Sequence, residues 1–168
     1  ALIKALPKIP QANAHYNSEA DELTLFDGVH LGIATATESG LVVPVVKHAE
    51  ALSIWQFANE LKTLSDAVRN GTASRDQLSG STITITSLGA LGGITTTPIL
   101  NLPETSIIGV NKLMERPVFD GNGNVVPSLF MNLSSTFDHR IVDGYDAAIL
   151  IQKVREFLET PATLFIPD

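Results

Sequence analysis

Apolar residues recur at Ile54, Phe57, Ala58, Leu61, Leu64 and Val68, a spacing that puts them along one face of a helix. The run opens on "SIWQ" at Ser53 to Gln56, a capping box, and closes at Gly71. After Gly144 the same period returns at Ala147, Ala148, Leu150, Ile151, Val154, Phe157 and Leu158, until Pro161 ends it. At the start, "ALIKAL" reads as the end of an apolar helix stopped by Pro7 and Pro10, because proline removes an amide donor.

Elsewhere the pattern changes to β-branched runs. "VHLGIATA" and "GLVVPVV" predict two strands separated by the turn "TESG", and "STITITS" and "TSIIGVNKL" predict two more. "VVPSLFMNLSSTF" predicts one long central strand that runs into "DHRIVDG". The acidic "NSEADE" and the "FDGNGN" stretch read as turns. This order suits helices packed on one face of a mixed sheet, an α/β two-layer sandwich, with residues 1–168 forming a single domain.

Composition narrows the chemistry. The 168 residues are 44% hydrophobic, enough for one substantial core. Eighteen acidic against 11 basic side chains give a net charge of −7, with the basic residues scattered, which argues against nucleic acid as a partner. The lack of cysteine excludes thiol nucleophiles, Cys-ligated zinc, iron–sulfur clusters and disulfides. No apolar run approaches the roughly 18 residues of a membrane span. The start has neither Met nor a signal peptide, so the chain reads as a cytoplasmic piece of a longer protein.

The candidate chemistry centres on "STFDHRIVDGYDAA". Asp143, directly before a helix and three residues from Asp146, has the position of an N-cap. His139 lies four residues earlier, in what reads as a tight strand-to-helix turn. A metal site there fits poorly, because His15, His30 and His48 lie far off without ligand-like spacing. A general base fits better, since imidazole titrates near neutrality.

The glycine-rich "SLGALGGITTTP" lacks the lysine of a P-loop and reads as a chain reversal. Thr84 and Thr86 just before it, and Ser87 at its start, are candidate oxyanion donors, and alternation puts Thr84 and Thr86 on one face. Trp55 and the phenylalanines read as core or interface. The apolar tail Leu164, Phe165 and Ile166 is equally suited to a subunit contact and to packing on its own domain.

"DHRIVDG", "TITSLGALGGITTTPILNLPETSIIGV" and "GLVVPVVKHAEALSIWQFANEL", in that context, resemble the catalytic core of the dihydrolipoamide acyltransferases of 2-oxo acid dehydrogenase complexes. The His-x-x-x-Asp-Gly motif by itself would also suit the related chloramphenicol acetyltransferases. The resemblance implies the coenzyme A-dependent acyltransferase fold. It also implies acyl transfer between a dihydrolipoyl-lysine arm and coenzyme A through a tetrahedral intermediate, with pyruvate or branched-chain type favoured. His139 would deprotonate the attacking thiol, which at a pKa near 8.5 is only a few per cent thiolate at neutral pH. Thr86 would hydrogen-bond the oxyanion, Asp143 would pair with an arginine that lies upstream in the family, and Gly144 would permit the tight turn.

The resemblance further implies a chain truncated at its N-terminus, with lipoyl and peripheral-subunit-binding domains upstream. It implies homotrimers with active sites between subunits, joined through the apolar C-terminus into a cubic or dodecahedral core. Partners would be the 2-oxo acid decarboxylase and dihydrolipoamide dehydrogenase components, in the bacterial cytoplasm or a mitochondrial matrix. The alternative function is a non-catalytic scaffold core that recruits those enzymes.

Overall fold

The alternation of strand β6 (Ile83–Ser87) divides the molecule: Ile83 and Ile85 join the hydrophobic core while Thr84 and Thr86 line a cavity. The computed structural model describes residues 1–38, 40–89 and 92–166. The chain opens with α1 (Leu2–Ala5), the hairpin β1 (Ala14–Asn17) and β2 (Glu22–Leu25), then β3 (Leu31–Thr37), β4 (Gly40–Val42) and β5 (Val45–Val46). Helix α2 (Ile54–Arg69) precedes β6, and β7 (Ser106–Val110), β8 (Met114–Phe119), β9 (Val125–Phe130), β10 (Leu133–Phe137) and α3 (Gly144–Glu159) complete the order.

Six strands form one sheet in the order β10-β7-β6-β3-β4, with β5 also paired to β3. Strands β3, β6 and β7 are parallel and the rest antiparallel, so the sheet is mixed. Its Leu31, Ile83 and Ile108 pack with Leu2 and Leu6 from the N-terminal helices, Leu64 of α2, and Leu150, Val154 and Phe157 of α3. Each such fully buried apolar side chain contributes about 1.5–3 kcal/mol. The two-layer α/β sandwich predicted from the sequence is the fold observed.

Local signals act where the sequence puts them. Gln56 N–H donates to the Ser53 hydroxyl while Ser53 N–H donates to the Gln56 side chain, completing the capping box of α2. Gly71, at φ +67°, takes the left-handed conformation that ends the helix.

Two expectations change, and a hairpin appears around a turn that was expected. "VVPSLFMNLSSTF" is two strands: β9 pairs with β8 in a separate hairpin, and β10 is an end strand of the main sheet in this chain. The break falls at Met131–Asn132, where the Asn132 carbonyl accepts from both the backbone and the side chain of Asn111. "NSEADE" is the turn of the β1–β2 hairpin, whose strands have too little β-branched content to announce themselves. Trp55 is 81% exposed and contributes nothing to this chain's core. It stands two residues from Phe57, about 200° around a helix of 3.6 residues per turn, and so faces away from the packed stripe.

Candidate active site

The turn that carries His139 is built from its neighbours. Asp138 accepts from the Arg140 backbone and, at 2.9 and 2.6 Å, from its guanidinium, which also lies 4.5 Å over the Tyr16 ring. Arg140 holds the Asp138 carboxyl below its ordinary range. The backbone N–H groups of Ile141 and Val142 return to the Asp138 carbonyl, closing the turn. His139 stands at its exposed corner, and its ring makes no hydrogen bond to a described residue.

Asp143 is the N-cap of α3: its carboxylate accepts from Asp146 N–H at 2.9 Å. It makes no bond to His139. Gly144 differs from its expected role, because the turn lies upstream, at residues 139–141. Gly144 itself is the first helical residue, is not among the glycines with positive φ, and has nothing within 4 Å of where a Cβ would stand.

Thr86 lies on the sheet face away from the helices, where a cavity of about 470 Å³ opens between the sheet and the loop that follows "SLGALGG". Ala34, Thr84, Thr86 and Ile107 supply its floor, Val43 and Leu41 one side, and Thr96 to Asn101 the other. Gly109 lets that loop close down, since a Cβ there would come within 2.8 Å of Thr96 Oγ1. Thr84 and Thr86 share the cavity face as predicted. In the glycine-rich stretch Gly89 takes a 3-10 turn, and Ala90 and Leu91 lie outside the described residues.

His139 and Thr86 are not brought together within the chain. Phe137, two residues before His139, pairs with Ser106 at the start of β7, whereas Thr86 pairs with Gly109 near its end. Those three residues of strand already separate the two positions by about 10 Å, with further strand spacings to cross.

At the inner end of the cavity lies a group that the sequence did not single out. Glu104 is 2% exposed, and its Oε1 accepts from the Ser81 hydroxyl at 2.5 Å, the Thr84 hydroxyl at 2.9 Å and the Asn101 amide at 2.8 Å. Burial, the largest influence, pushes its carboxyl up, and the three hydrogen bonds oppose that shift. A lone Glu in "NLPETS" carries no periodic signal that marks it as buried.

The other histidines have local roles. His15 Nε2–H donates to the Ser81 carbonyl at 2.7 Å, and His30 Nδ1 accepts from His48 N–H at 3.0 Å. Burial, foremost, pushes the His30 imidazole down. Among the described residues no group of three or more His, Asp or Glu side chains is arranged to hold a metal.

A family model described as "2-oxoacid dehydrogenases acyltransferase (catalytic domain)" matches residues 1–166. The chain belongs to that family. The lipoamide acyltransferase component of the branched-chain alpha-keto acid dehydrogenase complex of Pseudomonas putida is 57% identical over 166 residues, covering 99% of this chain. This acyltransferase domain spans 39% of that relative's length.

Among solved structures, the Azotobacter vinelandii dihydrolipoamide acetyltransferase superposes with a TM-score of 0.90 at 33% identity over 98% of this chain and 69% of its own. That structure comes from a crystallographic and enzymatic investigation of a serine, a histidine and an asparagine in its catalytic mechanism. The cubic core of a pyruvate dehydrogenase multienzyme complex gives the same TM-score at 34% identity, again over 98% of this chain and 69% of its own.

Proposed function

We propose that this acyltransferase domain moves a branched-chain acyl group between coenzyme A and the dihydrolipoyl arm of a 2-oxo acid dehydrogenase complex. The observation that carries this reading is 57% identity, along almost the whole domain, to a branched-chain lipoamide acyltransferase component. The apolar lining of the cavity, with Ala34, Val43, Ile107 and Val110, suits an aliphatic acyl chain.

His139 is the general base. It takes the proton of the attacking thiol as sulfur bonds to the thioester carbonyl carbon, and the carbonyl electrons move onto oxygen. When the tetrahedral intermediate collapses, the original carbon–sulfur bond breaks and the imidazolium returns its proton to the departing thiolate. Thr86 donates its hydroxyl to the oxyanion. Because one chain holds Thr86 and His139 apart, the two meet across neighbouring copies, in a trimer that joins a larger core with the decarboxylase and dehydrogenase components.

Asp143 supports the His139 turn by capping α3. The histidine and asparagine studied in the A. vinelandii enzyme are four positions apart, as are His139 and Asp143. The serine there precedes the histidine by 52 positions, and here Ser87 stands 52 and Thr86 53 before His139. Thr86 is favoured because it shares the cavity face with Thr84 and is half-buried there, whereas Ser87 is exposed at the end of the strand.

The test is transfer from isobutyryl-CoA to dihydrolipoamide by the full-length protein and its His139→Ala variant. Turnover in the wild type and its loss in the variant, with assembly intact by light scattering, support the assignment. Equal turnover in both removes His139 as the base, and an assembled but inactive wild type would support a scaffold.

A further inference from the structure

Glu104 takes no part in the proton transfers proposed above, yet it is among the most buried polar side chains of the molecule. Its Oε1 faces three donors at once. Two of them, Thr84 and Asn101, line the cavity, and the third, Ser81, sits where β6 is about to begin. An oxygen in that position is an acceptor whether the carboxyl is ionised or carries its proton on Oε2, because Oε1 is already committed to donors.

The consequence falls on Asn101. Its amide nitrogen is drawn to Glu104 at 2.8 Å, and the same nitrogen has the hydroxyl oxygens of Ser81 and Thr84 at 3.3 and 3.4 Å. A flipped amide would set its carbonyl oxygen against the Glu104 oxygen and gain no donor there, so the network fixes which way the amide points. Its Oδ1 accepts no hydrogen bond from a described residue, and it belongs to a residue that is half-buried in the cavity wall.

We infer that Asn101 is a substrate-binding residue and Glu104 its positioning residue: Glu104 holds the Asn101 amide so that the cavity presents a hydrogen-bond acceptor, Oδ1, to an N–H on the thiol-bearing arm of a substrate. Secondary amide N–H groups occur on the pantetheine arm of coenzyme A and at the lipoyl-lysine linkage, so the chemistry is shared by the two. The cavity is otherwise lined mainly by apolar side chains, where an unpaired N–H is costly and a single acceptor therefore selects strongly. The inference rests on the acyl-transfer reading and adds to it the group that recognises the arm.

The experiment uses the full-length protein with isobutyryl-CoA as donor and, as acceptor, a lipoyl domain carrying reduced lipoyl-lysine, with KM and kcat measured for each. Asn101→Leu, which keeps the side chain's size and removes the acceptor, is expected to raise the KM of one substrate about tenfold, the loss of roughly one hydrogen bond, while kcat stays within about twofold. The KM that moves identifies the arm. Glu104→Gln, which retains an oxygen to face the Asn101 amide, is expected to keep both KM values. Glu104→Leu is expected to shift the same KM as Asn101→Leu, and the double variant to be no worse than the more affected single.

Unchanged KM values in Asn101→Leu, an equal rise in both, or a fall confined to kcat overturns the inference. If Glu104→Leu fails to fold, Asn101→Leu decides the binding role. In that case Asn101→Asp, which faces Glu104 with a second acceptor, decides the positioning role by whether it shifts the same KM. Failure of the acyl-transfer reading itself is distinguishable, since there the wild type shows no turnover that depends on His139.

Discussion

Thr86 and His139 lie toward opposite ends of the central strands, one opposite Gly109 late in β7 and the other two residues past the partner of Ser106 at its start. If His139 is the base and Thr86 the oxyanion donor, as proposed, a single chain cannot bring both to one thioester, and the site needs a second copy.

Thr86→Ala is expected to lower kcat by about 10²–10³-fold, the effect of losing one oxyanion donor. Thr86→Ser, which keeps a hydroxyl, should restore most of the rate. Steady-state turnover of isobutyryl-CoA with dihydrolipoamide measures both, and a Thr86→Ala variant at wild-type kcat would shift attention to Ser87.

Asp143→Ala is expected to destabilise the protein by about 0.5–2 kcal/mol through loss of the α3 cap, whereas Asp143→Asn should keep the cap because its side-chain oxygen still accepts from Asp146 N–H. Denaturant unfolding of the two variants separates the helix cap from an electrostatic role. Equal destabilisation by both would show that the charge, and not the acceptor, is what matters.

Glu104 and Asp138 are expected to act on stability in opposite directions with pH. The Glu104 carboxyl is raised on folding, so its contribution is fully present below the unfolded carboxylate pKa and is lost as pH rises through the folded value. Asp138 is lowered by Arg140, so its contribution is present above the unfolded carboxylate pKa and is lost as pH falls through the folded value. Melting temperatures of Glu104→Gln should therefore improve relative to wild type as pH rises from acid towards neutrality. Those of Asp138→Asn should improve relative to wild type as pH falls into the acid range.

Much of this arrangement was legible in the sequence, and the reasons are physical. Ser53 with Gln56, Asp143 with Asp146, and the Thr84/Thr86 alternation all depend on neighbours a few residues away, so spacing reveals them. The break at Met131–Asn132 depends on Asn111, some 20 positions upstream, and no local pattern reports it. Glu104 is similar: its three donors come from Ser81, Thr84 and Asn101, and only the folded chain gathers them. Trp55, read from the sequence as core or interface, shows the converse, since the helical angle turns it outward and removes the core alternative.

Filling the cavity should change which acyl group is favoured. Ala34→Leu, on its floor, is expected to lower kcat/KM for isobutyryl-CoA relative to acetyl-CoA by about tenfold, the order of discrimination that a hydrophobic pocket achieves over a methylene or two. An unchanged ratio would place the acyl chain elsewhere.

The most direct test of a site shared between copies is complementation. Full-length His139→Ala and Thr86→Ala proteins, each inactive or nearly so alone, are co-assembled in equal amounts and assayed for transfer from isobutyryl-CoA to dihydrolipoamide. If each site takes His139 from one copy and Thr86 from its neighbour, random mixing leaves about a quarter of the sites with both groups intact, and activity returns to about that fraction of wild type. If co-assembled particles stay at the level of the separate variants, the two residues do not act across an interface and the account is contradicted.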